Sequence, residues 1–256
     1  MRWTLLKKPL VACAIAALFS SAASHAADTA ISMHLLAAAP YGWLDAKGQP
    51  QGLYPDIAAA LARVSGLGIR VEVVPFARAA TQVANGAADA TLMFSNAFTA
   101  GKAHEAWVVF YAAQVVQLRP GLTLVGRSGL APLRMGRMNG GCKELSEDTR
   151  VAWNFQDLNT QESGVRMLAA GRLDGFCTTT EALADAMGSA GLQARFEKAQ
   201  VLALASKPVW LMLSPKLSPD LAKRLEAGVR QLQSTGELAR IFKARLGPGY
   251  TLRTTP

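Results

Sequence analysis

Apolar strands alternate with amphipathic helices along the first hundred residues, and this order constrains the fold more than any other feature. The helices are marked by apolar positions that recur with a period near 3.6 residues and by glycines at their ends, Gly66 and Gly86. The strands are short apolar runs. The order is strand 30–38, helix 52–66, strand 68–75, helix 76–86 and strand 88–94. This alternation predicts a parallel sheet with helices packed on its faces.

The region from about 118 to 205 repeats the same plan, and the tail adds a strand and two helices. Strands are predicted at 134–138, 151–155 and 173–179, with helices at 160–171 and 181–191. A buried strand at 207–214 precedes a helix that begins at Ser218-Pro219 and a last helix that ends at Gly247. We therefore predict an α/β fold with two doubly wound α/β lobes.

The first 26 residues have the pattern of a secretory signal peptide. A basic start, MRWTLLKK, precedes the apolar run LVACAIAALF, and Ser24-His25-Ala26 forms a small-residue cleavage site. A membrane anchor is one alternative, but the run is shorter than the roughly 20 residues that cross a bilayer. Lipidation at Cys13 is another, although most of the apolar run follows that cysteine. We expect cleavage near Ala26 and an exported protein.

The charge pattern argues against nucleic acid as a partner. The formal net charge of +9 falls to +6 when Arg2, Lys7 and Lys8 leave with the leader. The remaining Lys and Arg residues are scattered, without the interleaved aromatic rings that single-strand nucleic-acid binders use. A basic surface would favour an anionic ligand or an acidic partner through its long-range field.

Cys142 and Cys177 are the two cysteines that remain after the leader is removed. In an exported chain such a pair suggests one disulfide, and the alternative is two buried free thiols. Both cysteines fall near the carboxyl ends of predicted strands, so a disulfide is reasonable if those strands are neighbours. The sequence has no Cys-x-x-Cys, and His34 and His104 stand alone, so we expect no metal, no cofactor and no Cys or Ser triad chemistry.

Polar residues follow the ends of several predicted strands. Ser95 and Asn96 come directly after the strand at 88–94, where open α/β sheets collect their ligands. Backbone amides in the segment Asn139, Gly140 and Gly141 could form an anion-binding nest, and a plain turn is the alternative.

Four segments, in order, resemble the periplasmic solute-binding proteins of the polar amino-acid uptake type, family 3. They are PYGWLDAKGQPQGLYPDIAAALARVSG, VEVVPFARAATQVANGAADATLMFS, VRMLAAGRLDGFCTT and SPDLAKRLEAGVRQLQSTGELARIFKARLG. The resemblance implies the periplasmic-binding-protein-like II fold, in which two lobes joined by two crossover strands close on a ligand by hinge motion. It implies a first lobe of 27–114 plus 209–256, an inserted second lobe of 115–208, and crossovers near 111–118 and 204–210.

The resemblance also indicates ligand contacts, and two of them depart from the family pattern. The family's Thr-x-x-Arg grips a ligand carboxylate, and here Thr99 is followed by Lys102 in place of the arginine. The family's ammonium-binding Asp is replaced by Thr179 in the run Thr178-Thr179-Thr180. An ordinary α-amino acid is therefore not expected as the ligand unless Glu181 or another acid replaces that Asp.

Aromatic and basic side chains complete the predicted site. Tyr41 and Trp43 fall in the loop where the family stacks a ring on its ligand, and Phe98 lies near Ser95. Core packing is the alternative for these rings. Arg78 could bind an anion or lie on the helix surface as a solvated cation.

The resemblance implies a periplasmic binding protein that is a monomer and not an enzyme. It would capture a small polar or anionic solute, such as an amino acid or a related carboxylate, for an ABC permease or a sensor. The alternative is an exported cyclohexadienyl-type dehydratase acting on prephenate or arogenate, with Glu181, Arg78 and Lys102 in the catalytic roles. A purely protein-binding module is a third alternative.

Overall fold

The structure is a computed structural model, and it describes residues 30–139 and 141–255. The predicted signal peptide at 1–26 and the predicted site residue Gly140 therefore lie outside the described residues. Within the described part, no helix combines the length and the apolar character that a membrane span requires.

The described part contains ten strands and eight α-helices. The strands are β1 (Ile31–Leu36), β2 (Trp43–Leu44), β3 (Pro50–Gln51), β4 (Ile69–Val74), β5 (Ala90–Met93), β6 (His104–Leu118), β7 (Met135–Met138), β8 (Phe155–Leu158), β9 (Gly175–Thr179) and β10 (Val201–Leu213). The helices are α1 (Leu53–Ser65), α2 (Phe76–Asn85), α3 (Lys143–Ser146), α4 (Gln161–Ala169), α5 (Thr180–Ala190), α6 (Gln193–Phe196), α7 (Pro219–Ser234) and α8 (Glu237–Leu246).

Eight of the strands form one sheet in the order β4-β1-β5-β10-β6-β9-β7-β8. At one end β4, β1 and β5 are parallel, and at the other end β9, β7 and β8 are parallel. Between them β6 and β10 form an antiparallel ladder that runs from Val201 opposite Gln117 to Leu213 opposite His104. The predicted crossovers lie within these two long strands. The α/β class with two parallel halves and two crossover strands is thus confirmed.

The buried side chains separate into clusters on either side of this ladder. The largest cluster combines residues 31–112 with residues 209–242, and two others combine residues 113–196 and 116–177. The division falls close to the boundaries expected for the two lobes, 27–114 plus 209–256 and 115–208, which we retain as a prediction. The first set is called lobe one and the second set lobe two.

Local signals placed most helix ends correctly. Gly66 and Gly86 end α1 and α2 in the left-handed conformation, with φ of 64° and 80°. Ser218 caps α7 because its side chain accepts a hydrogen bond from the backbone N–H of Leu221. Each of these ends depends on nearest neighbours in sequence, which explains why sequence alone could find it.

The strand predicted at 151–155 is wrong, because the strand there is β8, which begins at Phe155. The preceding residues form a turn around Asp148. The Asp148 carboxylate accepts a hydrogen bond from the backbone N–H of Arg150, and the Asp148 carbonyl accepts one from the Trp153 indole. Because this segment makes these local hydrogen bonds, its backbone does not pair as a strand, although several of its side chains are apolar.

Candidate functional site

We call the antiparallel pairing of β6 and β10 the crossover ladder. Strands from both lobes end beside its middle. Lobe one supplies β5, whose last residue, Met93, lies opposite Trp210 of β10. Lobe two supplies β9, whose last residue, Thr179, lies opposite Gln114 of β6. Because ligands of open α/β sheets bind outside the carboxyl ends of the strands, this region is the candidate site.

Tyr41 joins the two lobes directly. Its side chain is buried, and its hydroxyl lies 2.7 Å from the Thr179 hydroxyl and donates to Glu181 Oε2 at 3.2 Å. Thr179 also caps α5 by accepting a hydrogen bond from the backbone N–H of Ala182. The predicted site residues Tyr41 and Thr179 are therefore in contact, and the hydroxyl of each is already hydrogen-bonded within the protein.

Glu181 is fully buried and is surrounded by hydroxyl groups. Its Oε1 accepts hydrogen bonds from Tyr250 at 2.5 Å and from Thr180 at 3.1 Å, and its Oε2 accepts the bond from Tyr41. No Lys, Arg or His within the described residues forms an ion pair with it. The pKa of Tyr41 and that of Tyr250 are both raised, mainly because the hydroxyls are buried and secondly because the Glu181 carboxylate is near. Both oxygens of Glu181 are thus occupied, and the carboxylate is closed off from a ligand.

The loop after β5 uses most of its polar side chains to hold its own shape. Asn96 accepts a hydrogen bond from the backbone N–H of Phe98 and donates one to the carbonyl of Phe94. Thr99 is buried, and its hydroxyl bonds to the backbone of Asn96. Ser95 is exposed, and its side chain is therefore accessible to a ligand.

The remaining predicted contacts of lobe one lie on or near the surface. Arg78 and Lys102 are exposed, and neither forms an ion pair in the part of the chain that the structure describes. Phe98 as a whole residue is 47% exposed. Trp43 is half-buried beside α8, with the Arg245 guanidinium 5.7 Å from the centroid of its ring. All of these remain predicted contacts.

In lobe two the disulfide is confirmed. Cys142 and Cys177 are bonded, with their Cα atoms 5.8 Å apart. The bond can form because β7 and β9 are adjacent parallel strands, so Cys177 within β9 lies close to Cys142, which follows β7. Asn139 is exposed and Gly141 is half-buried, whereas Thr178 is buried and donates its hydroxyl to Gln161 at 2.8 Å.

Sequence reasoning missed two polar residues that share a face of the sheet with Thr179. Cross-strand partners project from the same face of a sheet, so Thr179 and Gln114 share one face with Ala205 of β10 and with Lys207, two residues further along. We call Thr179, Gln114 and Lys207 the polar row. Lys207 forms an ion pair with Glu144 of α3. The signal was present in the sequence, since Gln114 and Lys207 are polar residues inside otherwise apolar strands.

Two surface cavities lie elsewhere. One, of about 320 Å³, is lined by residues that include Trp107, Trp210 and Gln233. The other, of about 460 Å³, lies between α5 and α8 and includes Asp185 and Arg245. Neither includes a residue of the polar row. The described residues also contain no cluster of three or more His, Cys, Asp or Glu that could hold a metal ion.

A sheet with two parallel halves joined by a crossover ladder, and with strands of both halves ending at that ladder, defines a two-lobed binding-protein fold. The family model described as bacterial extracellular solute-binding proteins, family 3, matches residues 31–247. The chain belongs to this family. The resemblance noted in the sequence is thereby confirmed, although no curated protein sequence matches the chain.

Solved structures agree with this fold at low sequence identity. A histidine kinase sensor domain with similarity to periplasmic binding proteins has 16% identity and a TM-score of 0.65, covering 86% of this chain and 96% of its own. An arginine-, lysine- and histidine-binding protein from Geobacillus stearothermophilus has 15% identity and a TM-score of 0.61, covering 84% and 94%. An ancestral amino-acid-binding protein described as a precursor of cyclohexadienyl dehydratase has 17% identity and a TM-score of 0.62, covering 85% and 95%. At this identity the likeness shows the fold alone.

Proposed function

We propose that the protein is a periplasmic solute-binding protein that holds a small polar or anionic solute, such as an amino acid or a related carboxylate, between its two lobes. The observation that carries this proposal is the meeting of both lobes at the crossover ladder, where Thr179 of lobe two contacts Tyr41 of lobe one. A solute bound there touches both lobes and so favours their closed arrangement over an open one. Ligand binding would act by shifting this population.

Binding is favoured over catalysis by the state of Glu181. The dehydratase alternative needs an acid close to the leaving hydroxyl of its substrate, and Glu181 is the candidate for that role. Its carboxylate is fully buried and is bonded to hydroxyl groups at both oxygens. The candidate cations Arg78 and Lys102 lie on the exposed surface. A precursor of a dehydratase shares the fold, but the residues of this chain support a binder.

Export to the periplasm is supported by the disulfide. Disulfides persist in oxidising compartments, and the Cys142–Cys177 bond agrees with removal of the predicted leader at 1–26 during secretion. The protein would act as a monomer and would pass its solute to an ABC permease or report it to a membrane sensor. A histidine kinase sensor domain and a substrate-binding domain of a putative amino acid ABC transporter occur among its structural neighbours.

The test is a thermal-shift screen of residues 27–256 against amino acids, amines, organic acids and sugars. A ligand present at a hundred times its Kd stabilises the folded state by about 2.7 kcal/mol, so a true ligand gives a clear shift. Hits are then measured by calorimetry, and the recovered solute is analysed by mass spectrometry. We expect one chemical class to bind and to be returned unchanged. Chemical conversion of a hit would favour the dehydratase, and the absence of any hit would refute the proposal.

A further inference from the structure

We propose that Arg245 is a charge switch for which two aspartates compete, Asp56 of lobe one and Asp185 of lobe two. In the arrangement of this structure Arg245 pairs with Asp56. In a second arrangement, in which α5 lies closer to α8, it pairs with Asp185 instead. The balance between the two ion pairs then helps to set the position of one lobe relative to the other. This inference rests on the part of the proposed function in which the lobes move.

Asp185 lies on the face of α5 that meets lobe one. It follows Glu181 by one helical turn, so the two side chains project from the same side of the helix. Glu181 is bonded there to Tyr250, in the tail that follows α8. α5 also packs against α8 itself. Asp185 therefore faces the surface of lobe one, where Arg245 belongs to the last turn of α8.

A cavity of about 460 Å³ lies between the two charges, and both Asp185 and Arg245 line it. Asp185 is half-buried and forms no ion pair within the described residues. Burial raises the pKa of Asp185, and the positive charge of Arg245 lowers it in part, so the two groups interact across the cavity. A closer approach of α8 would bring this carboxylate an ion-pair partner.

The guanidinium of Arg245 has donors left for a second carboxylate. Its Nε and Nη2 bind the two carboxylate oxygens of Asp56 at 2.6 Å and 3.0 Å, which leaves the Nη1 group for another acceptor. The side chains of Arg245 and Asp56 are 30% and 36% exposed, and an ion pair this accessible to water contributes little to stability. Arg245 can therefore leave Asp56 at little cost.

Two further interactions favour the exchange. Narrowing of the cavity would remove water from Asp185, and a carboxylate that loses water needs an opposite charge. Arg245 supplies that charge from the opposite wall. The ring of Trp43 lies beside the guanidinium, with 5.7 Å between the Arg245 Cζ and the ring centroid. This cation–π attraction is independent of the carboxylate partner, so it holds Arg245 near the cavity in both arrangements.

The experiment measures the separation of α5 and α8 in solute-free residues 27–256 by electron–electron double resonance. One spin label is placed at Lys243 on α8 and the other at Ala194 on α6, which packs against α5. Both positions are exposed. The labels are attached to non-natural amino acids, so that the native disulfide stays intact.

The two aspartate variants should change this separation in opposite directions. Asp185→Asn removes the partner in lobe two and should reduce the population with the shorter separation. Asp56→Asn frees Arg245 for Asp185 and should increase that population. Each change in the population ratio should be about two- to fivefold, the range that a partly exposed ion pair supports. In the Arg245→Gln background both effects should disappear.

Asp220→Asn is the matched control, because Asp220, like Asp56, is an acid in the first turn of a helix of lobe one. It should leave the separation unchanged. Shifts in the same direction in the two aspartate variants, shifts no larger than that of the control, or shifts that persist in Arg245→Gln would overturn the switch. The proposed function would still stand if a solute from the screen changed the separation. A separation that neither the variants nor a bound solute alters would overturn both the switch and the proposed lobe motion.

Discussion

Loss of the Cys142–Cys177 disulfide should lower the free energy of unfolding by about 4 kcal/mol. The two cysteines are 35 residues apart in sequence. In the chain-entropy model a cross-link that closes a loop of this length removes about 13 cal/mol/K from the unfolded state, which gives about 4 kcal/mol at 25 °C. For a domain of this size the loss corresponds to a fall of roughly 8–16 °C in Tm.

The assay is urea unfolding of residues 27–256, followed by circular dichroism with and without a reductant. The variant in which both cysteines are replaced by alanine is the control, because it should show the same loss of stability and no further response to the reductant. A loss below about 1 kcal/mol on reduction would refute the loop-entropy reasoning, since native disulfides typically contribute about 2–5 kcal/mol.

Three further predictions concern charges and hydroxyl groups. Tyr250→Phe removes a hydrogen bond to the buried Glu181 and should cost about 1.5–3 kcal/mol in urea unfolding, and a change near zero would show that the bond is weak. The pKa of Tyr250 is raised in the folded state, so its contribution to stability is fully present below about pH 10, the ordinary pKa of a tyrosine in the unfolded chain. The free energy of unfolding should therefore fall above that pH, and it should fall less in Tyr250→Phe. Equal losses in the two proteins during an alkaline titration would contradict this. Arg134 holds the pKa of Asp174 below its usual range, so stability should be present above about pH 4 and lost on acidification, with a shallower loss in Asp174→Asn. Asp157→Asn is the control in that acid titration, because Asp157 is exposed and pairs with Arg137 in the same lobe, and an equal effect of both variants would contradict the assignment.

The fold could be predicted because its signals are local or periodic. Helix faces, glycine ends and apolar strands each depend on a few residues, and their order was sufficient to predict an α/β fold. The boundary of β8 was missed because the Asp148 turn depends on a hydrogen bond from the Trp153 side chain, and its apolar neighbours resemble a strand in sequence. Apolar composition alone could not distinguish this turn from a strand.

The candidate site was predicted only in part because its contacts are long-range. Tyr41 and Thr179 were expected as ligand contacts, yet 138 residues separate them and their mutual hydrogen bond could not be read from either segment. The exposed position of Ser95 beyond the end of a strand could be predicted because the residue directly follows an apolar run in the sequence. Lys207 was overlooked because it occurs within an apolar segment that was assigned to a buried strand. Its ion pair with Glu144 joins residues 63 apart in sequence, so neither segment alone could reveal it.

The two acids of this region show why position in sequence is a poor guide to chemical role. Glu181 is closest in sequence to the place where the family has its acid, but the hydroxyls of Tyr41, Tyr250 and Thr180 bond to both of its oxygens, and those of Tyr41 and Tyr250 link it to lobe one. Glu144 is far from Thr179 in sequence, yet the disulfide holds its helix against the same face of the sheet. Glu144 remains partly exposed and pairs with Lys207, whereas Glu181 is fully buried, so the fold and not the position in sequence decides which carboxylate is accessible to solvent.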